Sequence, residues 1–403
     1  MKENPARLRP AGVGRPVEDG KSIYFDNAAS SWPKPEPVIR AVERVLRDAG
    51  ANPGRSAHHL SVEAARIMTE ARQEAAALFG TADPLRIVFT KNATESLNII
   101  IHGLLRAGDH VVTSSMEHNS VMRPLSAARD RGVSVKVVRC SGTGELDPDD
   151  VRKALTRKTR LIVITHASNV SGTILPVAEV GAVARDRGIP LCVDAAQSAG
   201  CLTIDVEGMN IDLLAFTGHK SLYGPQGTGG LFIRHGLEEH IAPLMMGGTG
   251  SASEHEEQPL FMPDKYESGT PNTAGIAGLL EGIRFVSSRG VPSIRKHEVE
   301  LLARLTEGLA GIPGVRVHGP TDPGSKIAVV SFSVDGMDPS EVSFRLDEEH
   351  GIMSRPGLHC APSAHRTLDT FPGGTVRFAP GVFNTAEQVL TALDAVSSIV
   401  EQA

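Results

Sequence analysis

Short apolar runs alternate with segments of helical periodicity over the first half of the chain. Several runs are uninterrupted, as in Leu161-Ile-Val-Ile-Thr165, which is typical of strands buried on both faces of a parallel sheet. The alternation of such strands with helices predicts a doubly wound α/β domain. The predicted elements are strands at 23–25, 86–90, 110–113, 134–138, 161–165, 190–194 and 211–216, with early helices around 38–46 and 61–79.

The pattern changes at residues 244–265, where glycines, acidic residues and prolines predict a long loop. After this loop, helical sequence at 273–310 is followed by fewer strands, which predicts a smaller α+β domain. Its further elements are strands at 327–334 and 375–378, a helix at 339–349 and a last helix that begins with the capping box Thr385–Gln388. We therefore predict an N-terminal arm at 1–22, a large domain at 23–265 and a small domain at 266–403.

Length and composition narrow the possible function classes. The 403 residues are enough for two domains, and the ordinary apolar content predicts a packed core. A net charge of −6 and an aromatic content of 4% are unlike a nucleic-acid-binding surface. No apolar run is long enough for a membrane span, and residues 1–20 have no signal core. The four cysteines lack a framework spacing, which predicts reduced thiols and a cytoplasmic protein.

The segment Thr217-Gly-His-Lys-Ser-Leu-Tyr-Gly-Pro225 carries the most informative chemistry. Lys220 follows an apolar strand and precedes a glycine-rich tail at 224–230. A lysine that must be held in place, lose its proton and attack a carbonyl needs such a setting, whereas a surface lysine does not. The segment predicts a pyridoxal phosphate enzyme in which Lys220 is the Schiff-base residue.

Polar residues end or follow several other predicted strands, and these strand ends should meet at one edge of the sheet. Asp194 could keep the pyridine nitrogen protonated, which lets the ring act as an electron sink. Either Asn169 or Gln197 could hydrogen-bond the phenolic oxygen. His118 could stack on the ring and transfer protons.

A phosphate group needs backbone N–H groups at a helix start together with hydroxyl groups. The segment Asn92-Ala-Thr94, between a strand and a helix, offers both, and Thr217 and His219 could add to it. The sequence has no Gly-x-Gly-x-x-Gly fingerprint and no Walker loop. Dinucleotides and nucleoside triphosphates are therefore disfavoured as ligands.

A second cluster, Ser354-Arg-Pro-Gly-Leu-His-Cys-Ala-Pro362, contains the one cysteine in a loop-like context. We interpret Cys360 as a thiolate nucleophile. A zinc site formed by His359, Cys360 and His365 is an alternative, but no Cys-x-x-Cys supports it, and we expect no metal. The other cysteines should be small buried side chains: Cys140, Cys192 and, with weaker support, Cys201.

These motifs together resemble the class V aminotransferase family, and within it group II cysteine desulfurases and selenocysteine lyases. The likeness extends from Tyr24 to Val400. It implies fold type I of the pyridoxal phosphate-dependent transferases, with a large domain on a mostly parallel seven-stranded sheet. The segments that carry the likeness are Tyr24–Ala29, Phe89–Glu95, Glu117-His118, Ser168–Thr173, Val193–Ser198, Thr217–Lys220, Ser268–Ala274 and Arg355-x-Gly-x-His-Cys360.

The resemblance also implies a role for each matching residue. Lys220 would bind the cofactor and act as the base at the substrate Cα, and Cys360 would be the nucleophile. Thr270 would reach the phosphate in the other subunit, which implies a homodimer. The remaining cofactor contacts would be Asp194, Gln197, His118, Ala93, Thr94, Asn169, Thr217 and His219, and the substrate contacts Arg355, Arg377, Asn169 and Ala28.

The implied reaction converts L-cysteine to L-alanine and leaves the sulfur on Cys360 as a persulfide, for transfer to an acceptor protein. A selenocysteine lyase, a C–S lyase or epimerase, and a non-catalytic scaffold are alternatives. Two positions depart from close relatives, because Gly54 and Leu358 stand where histidines are frequent. Both departures bear on the choice of substrate and of sulfur acceptor.

Overall fold

The computed structural model describes residues 22–54, 56 and 58–402. Residues 1–21 of the predicted arm lie outside this range. The strands are β1 Ile23–Tyr24, β2 Ile87–Thr90, β3 His110–Ser114, β4 Ser134–Val138, β5 Thr159–Thr165, β6 Leu191–Asp194, β7 Leu213–Thr217, β8 Gly229–Ile233, β9 Val315–His318, β10 Val330–Val334, β11 Ile352–Met353, β12 Arg355–Gly357 and β13 Thr375–Phe378.

The described part of the chain has eleven α-helices. In order they are α1 Glu36–Asp48, α2 His59–Phe79, α3 Ala93–Leu104, α4 Asn119–Asp130, α5 Pro148–Ala154, α6 Val177–Asp186, α7 Thr273–Arg289, α8 Val291–Ala310, α9 Pro339–His350, α10 Pro362–Thr367 and α11 Ala386–Glu401. Residues 240–272 contain no helix or strand, so the long loop predicted in this region is confirmed.

The large sheet has seven strands in the order β2-β8-β7-β6-β5-β3-β4. Every strand except β8 runs in the same direction, as the doubly wound prediction requires. Alternate residues of β5 pack into two different hydrophobic cores: Ile162 and Ile164 on one face of the sheet, and Leu161 and Val163 on the other. A strand with two buried faces has to be apolar throughout, which explains the uninterrupted runs.

The antiparallel strand β8 lies between β2 and β7, where the sequence had predicted only a glycine-rich tail. Its first residues are glycines because no side chain fits there. A Cβ on Gly230 would lie 2.3 Å from the Phe216 ring, and one on Gly229 would lie 2.7 Å from Asn92 Cα. The glycines that allow this close approach also remove the apolar pattern by which a strand is recognised.

The smaller sheet has the order β12-β13-β10-β9 and is antiparallel. Helices α8 and α9 pack on it, and α11 packs against both of these helices. β1 pairs with β11, and Phe25 shares the small-sheet core with Phe332 and Phe378. Residues 23–25 therefore pack against the small sheet before the chain enters the large one. The domain boundaries at 22/23 and 265/266 stay predictions.

Helix α7 supports the loop that carries Lys220. Gly282 faces the backbone of residues 222–224, and a Cβ at this position would lie 2.1 Å from Leu222 O and 2.9 Å from Gly224 N. The neighbouring atoms are backbone, so they cannot move aside as a flexible side chain could. The close contact between α7 and this loop therefore depends on glycine.

Replacement of Gly282 by alanine tests this contact. We expect Gly282→Ala to lose about 1–3 kcal/mol of stability, because an extra methyl group in a packed region forces the backbone apart. Gly142→Ala is the matched control, since a Cβ at Gly142 meets no atom within 4 Å. Thermal unfolding monitored by circular dichroism should show a lower midpoint for Gly282→Ala only, and equal midpoints for both variants would contradict the packing argument.

Candidate active site

A cavity of about 250 Å³ lies at the carboxyl ends of β5, β6 and β7, between the two sheets. This is the edge at which ligands bind in open α/β sheets. Most of the predicted site residues line it: Ala28, Ala93, Thr94, His118, Asn169, Asp194, Gln197, Thr217, His219, Lys220, Arg355, Cys360 and Arg377. Thr270 does not.

Lys220 lies three residues beyond β7, in a loop whose backbone is held at several points. Its carbonyl oxygen accepts hydrogen bonds from the Tyr223 N–H and from the Ser31 hydroxyl, both at 2.8 Å. Desolvation by burial lowers the pKa of Lys220 to about 8, although Asp194 opposes this shift. About a tenth of the amine is therefore neutral and nucleophilic at pH 7, far more than for an ordinary lysine.

Asp194 is the last residue of β6 and is almost fully buried. One carboxylate oxygen accepts a hydrogen bond from the Ala196 N–H at 2.9 Å. Burial raises the pKa of Asp194, while this hydrogen bond and Lys220 oppose the rise. A cation placed against Asp194 would satisfy its charge. Gln197 lies on the same wall, and its amide is oriented by donation to Ala28 O at 3.0 Å.

His118 caps the N-terminus of α4. Its Nδ1 accepts a hydrogen bond from the Ser120 N–H at 3.0 Å, so in the neutral ring the proton is on Nε2. Burial, and then the charge of Lys220, lowers the pKa of His118 to about 4. The ring is therefore neutral at neutral pH and has one N–H donor available on the side away from the helix.

One end of the cavity combines a helix start with unpartnered polar atoms. α3 begins at Ala93, and the Asn92 side chain caps it by accepting from the Glu95 N–H at 3.0 Å. Two buried atoms here, Thr217 Oγ1 and His219 Nδ1, lack a hydrogen-bond partner. Such atoms are costly to bury unless a ligand pairs with them. Together with the α3 N-terminus they fit an anion.

The small sheet contributes two arginines to the opposite end of the cavity. Arg355 on β12 and Arg377 on β13 are direct partners in the antiparallel register, so both side chains lie on one face. Arg377 donates to Asn169 O at 2.9 Å and to Asp26 Oδ1 at 2.7 Å. Like charges directly opposite each other are destabilising, so a second anion is expected between them.

Cys360 lies at the mouth of the cavity and is exposed, whereas the other three cysteines are buried as predicted. Its backbone is fastened to the large domain, because the Asn119 N–H donates to Cys360 O at 2.8 Å. In addition, Asn169 Nδ2 donates to His359 O at 2.6 Å. Asn169 thus binds the cysteine loop as well as lining the cavity.

The zinc alternative is not favoured by the geometry. All four ring nitrogens of His359 and His365 are engaged in hydrogen bonds. Across residues 22–54, 56 and 58–402, no group of three or more histidine, cysteine or carboxylate side chains is arranged to hold a metal ion.

The structure places the remaining predicted positions outside the cavity. Thr270 lines a separate depression, together with Lys91 and Glu95 from the start of α3 and Met245 from the long loop. Gly54 is exposed, with φ +78° and no atom within 4 Å of an added Cβ. Leu358 does not line the cavity either, although its carbonyl accepts from the Ala361 N–H at 2.8 Å.

Sequence reasoning assigned no role to three contributors to the site. The Ser120 hydroxyl lies 2.7 Å from the Thr94 hydroxyl, and Asp26 pairs with Arg377. Glu117 is fully buried behind Asp194, and burial raises its pKa to about 8, so that this carboxyl is largely protonated at neutral pH. Only Glu117 had a signal, since it follows a predicted strand. Long-range pairs such as Asp26–Arg377 leave no local pattern.

The reactivity of Lys220 should report its environment directly. In cofactor-free protein, we expect acetylation of Lys220 to rise with pH and level off above about 8, because only the neutral amine reacts. Asp194→Asn should move this midpoint lower, since Asp194 favours the charged amine. Mass spectrometry of acetylated peptides gives the rate, with exposed Lys158 as the internal reference. A midpoint near about 10.4, the usual value for lysine, would contradict the burial argument.

No helix in the described part of the chain combines the length and apolarity required to cross a membrane.

Comparison with known proteins agrees with this geometry. The sequence pattern of the family described as aminotransferase class-V matches residues 23–391. A probable cysteine desulfurase of Methanothermobacter thermautotrophicus is 39% identical, with 91% of this chain and 92% of the relative aligned. A probable cysteine desulfurase of Pyrococcus abyssi is 36% identical, with 94% of each aligned.

A solved structure leads to the same family. The apo structure of a cysteine desulfurase from Thermococcus onnurineus NA1 superposes with a TM-score of 0.89 at 36% identity, covering 95% of each chain. Its fold is the mostly parallel α/β architecture predicted from the strand pattern. The chain therefore belongs to the class V aminotransferase family, whose cysteine desulfurase members are pyridoxal phosphate enzymes.

Proposed function

We propose that this protein is a cysteine desulfurase that converts L-cysteine to L-alanine and retains the sulfur on Cys360 as a persulfide. The observation that carries the proposal is a single cavity lined by a buried lysine, a buried aspartate, two arginines and an exposed cysteine. The relatives named as cysteine desulfurases support it at 33–39% identity over most of the chain.

The cavity residues fit pyridoxal phosphate. Thr217 Oγ1 and His219 Nδ1 are unpartnered where the phosphate would lie, at the N-terminus of α3. Asp194 would pair with the protonated ring nitrogen, and Lys220 would form the covalent link to the aldehyde carbon. When bound, the cofactor supplies an electron sink for the carbanion that forms at the substrate Cα.

The remaining steps are carried out by side chains of this chain. Arg377 and Arg355 bind the substrate carboxylate, and Arg377 is held in place by Asp26. Lys220 removes the proton from the substrate Cα, because its lowered pKa makes the amine a base near neutral pH. His118, neutral with a proton on Nε2, is placed to donate a proton.

Cys360 then completes the sulfur transfer. Its thiolate attacks the substrate sulfur, so that an S–S bond forms while the C–S bond breaks. The electron pair of the broken bond stays with the substrate Cβ, which takes up a proton and becomes the methyl group of alanine. The reaction needs no external oxidant. The substrate sulfur is oxidised from a thiol to the sulfane sulfur of the persulfide, and the substrate Cβ is reduced to a methyl group.

Removal of the thiol tests the proposal. For Cys360→Ala we expect L-cysteine-dependent sulfide release, measured with a reductant present, to fall by about a thousandfold or more, as it does when a covalent nucleophile is lost. Cofactor absorbance should be unchanged, because Cys360 lies at the cavity mouth. Cys140→Ala, a buried cysteine away from the cavity, is the control and should keep the activity.

The products of this assay also separate the alternatives. Full activity on L-cysteine without Cys360 would contradict the persulfide mechanism. Activity that is retained only on selenocysteine would indicate a selenocysteine lyase, and pyruvate in place of alanine would indicate a C–S lyase. Exposure of Cys360 is compatible with sulfur transfer to an acceptor protein that docks at the cavity mouth.

We further infer a homodimer formed through the long loop. The loop exposes large apolar side chains, among them Leu260 at 77% and Met246 at 73% exposure. Leu244, Met245 and Phe261 of the same loop are exposed as well, and a patch of exposed apolar residues, unlike a single one, marks an interaction surface. Thr270 borders the same region and lies beside the α3 N-terminus, where the phosphate would be, so a neighbouring subunit could bring its own Thr270 there.

The oligomeric state tests this part of the proposal. We expect Leu260→Glu to shift the protein from dimer to monomer in analytical ultracentrifugation and to lower cofactor affinity as well, because Thr270 of the partner would be lost. Leu390→Glu, at an exposed apolar residue on α11 in the small domain, should leave the dimer intact. A wild-type monomer, or a dimer that tolerates Leu260→Glu, would contradict the assignment.

A further inference from the structure

The backbone that carries Cys360 is held in an unfavourable conformation. His359 and Cys360 both have positive φ angles, 48° and 57°, in the left-handed region that residues with a Cβ rarely adopt. Two such residues in succession persist only when surrounding contacts fix them, and backbone of this kind is concentrated at functional sites. The contacts that fix this pair should therefore matter for the position of the thiol.

Two of these contacts hold backbone carbonyl groups. Asn169 Nδ2 donates to His359 O at 2.6 Å, and the Asn119 N–H donates to Cys360 O at 2.8 Å. Both attach the loop to the large domain. Neither contact acts on a side chain of the loop.

The His359 side chain is fixed by a directed chain of hydrogen bonds. Its Nε2 lies 3.0 Å from Arg355 O, and because a carbonyl only accepts, the proton must be on Nε2. Nδ1 of the neutral ring is then an acceptor. It receives a hydrogen bond from His365 Nε2 at 3.3 Å, and the two rings stack at a centroid distance of 5.4 Å.

The chain ends at Thr370, whose hydroxyl donates to His365 Nδ1 at 2.7 Å. Because Nε2 of the neutral His365 ring donates to His359, its Nδ1 is the acceptor and the Thr370 hydroxyl, which also lies 3.4 Å from His365 O, is the donor. Thr370 is itself fixed, because its N–H donates to His365 O at 2.8 Å and its carbonyl accepts from the Gly374 N–H at 2.7 Å. The direction of each hydrogen bond from Arg355 O to Thr370 thus follows from the Arg355 carbonyl, which can only accept.

Burial keeps both rings in the required neutral state. It lowers the pKa of His359 to about 3 and that of His365 to about 4. The groups that face them, the charged Arg377 and Arg355 beside His359 and the titratable His318 beside His365, act in the same direction, while hydrogen bonds to the Arg355 and Leu358 carbonyls oppose the lowering of the pKa. The orientation of the chain is therefore the same across the pH range in which an enzyme of this kind works.

We propose that His365 is a positioning residue for Cys360: by donating to His359 it holds the left-handed backbone that presents the thiol to the cavity. This rests on the proposed function of Cys360 as the sulfur acceptor. His365 is fully buried and does not line the cavity, so it acts through His359. Its effect should fall on the sulfur-transfer step alone.

The test compares three variants of the holoenzyme. His365→Phe keeps a flat ring that can stack on His359 but removes the donor, whereas His365→Gln keeps an N–H donor. Ser363→Ala, on the same short helix α10, is the matched control. Persulfide formation on Cys360 is followed by mass spectrometry in a single turnover with L-cysteine, and alkylation of Cys360 by iodoacetamide is measured without substrate.

For His365→Phe we expect persulfide formation to fall by about a hundredfold, which is the size of effect that an ångström of misplacement produces. The KM for L-cysteine, the cofactor absorbance and the alkylation rate should stay as in the wild type. Neither substrate binding nor alkylation of the thiol depends on the exact position of Cys360 relative to the substrate sulfur. His365→Gln should recover most of the loss, and Ser363→Ala should show none.

Other outcomes overturn the proposal in distinguishable ways. Wild-type persulfide formation in His365→Phe would show that His359 needs no support. If that variant loses cofactor or folds poorly, Thr370→Val, which removes only the hydroxyl donor, replaces it, and its persulfide rate should fall by about tenfold. An unchanged rate there would also overturn the proposal. No persulfide in the wild type would instead refute the proposed function, and this inference with it.

Discussion

A lysine and an aspartate, Lys220 and Asp194, are buried together at the carboxyl edge of the large sheet, and the remaining site is arranged around this pair. Burial lowers the pKa of the amine and raises that of the carboxyl, and each partly offsets the shift of the other. Unpaired charges are costly inside a protein. The loop after β7 is held by hydrogen bonds and by close contacts at glycine, such as that of Gly282. These contacts stabilise the loop and so offset the free-energy cost of burying the two charges.

The site also depends on how the two sheets meet. The small sheet supplies two arginines in register and the cysteine loop, while the large sheet supplies the lysine, the aspartate and the anion-binding helix start. Asn169 connects the two, because its amide binds His359 O and its carbonyl accepts from Arg377. Substrate binding and presentation of the thiol are thus linked through one residue of the large domain.

Much of this arrangement could be predicted from the sequence. The buried strands could be predicted because two covered faces require unbroken apolar runs, and the residues at their carboxyl ends, such as Asp194, meet at one edge of the sheet. β8 could not be predicted, because the glycines at its start, which allow close packing, interrupt the apolar pattern that indicates a strand. Nor could the pairing of Ile23 with Ile352 be predicted, since it depends on tertiary packing.

The central claim is that Lys220 and Asp194 bind opposite ends of one pyridoxal ring. A crystal structure of the protein purified with pyridoxal phosphate tests this claim most directly. The account predicts continuous density from Lys220 Nζ to the aldehyde carbon of the cofactor and a carboxylate oxygen of Asp194 within about 3 Å of the ring nitrogen. A cofactor linked to another lysine, or a ring nitrogen that is not bonded to Asp194, would contradict it.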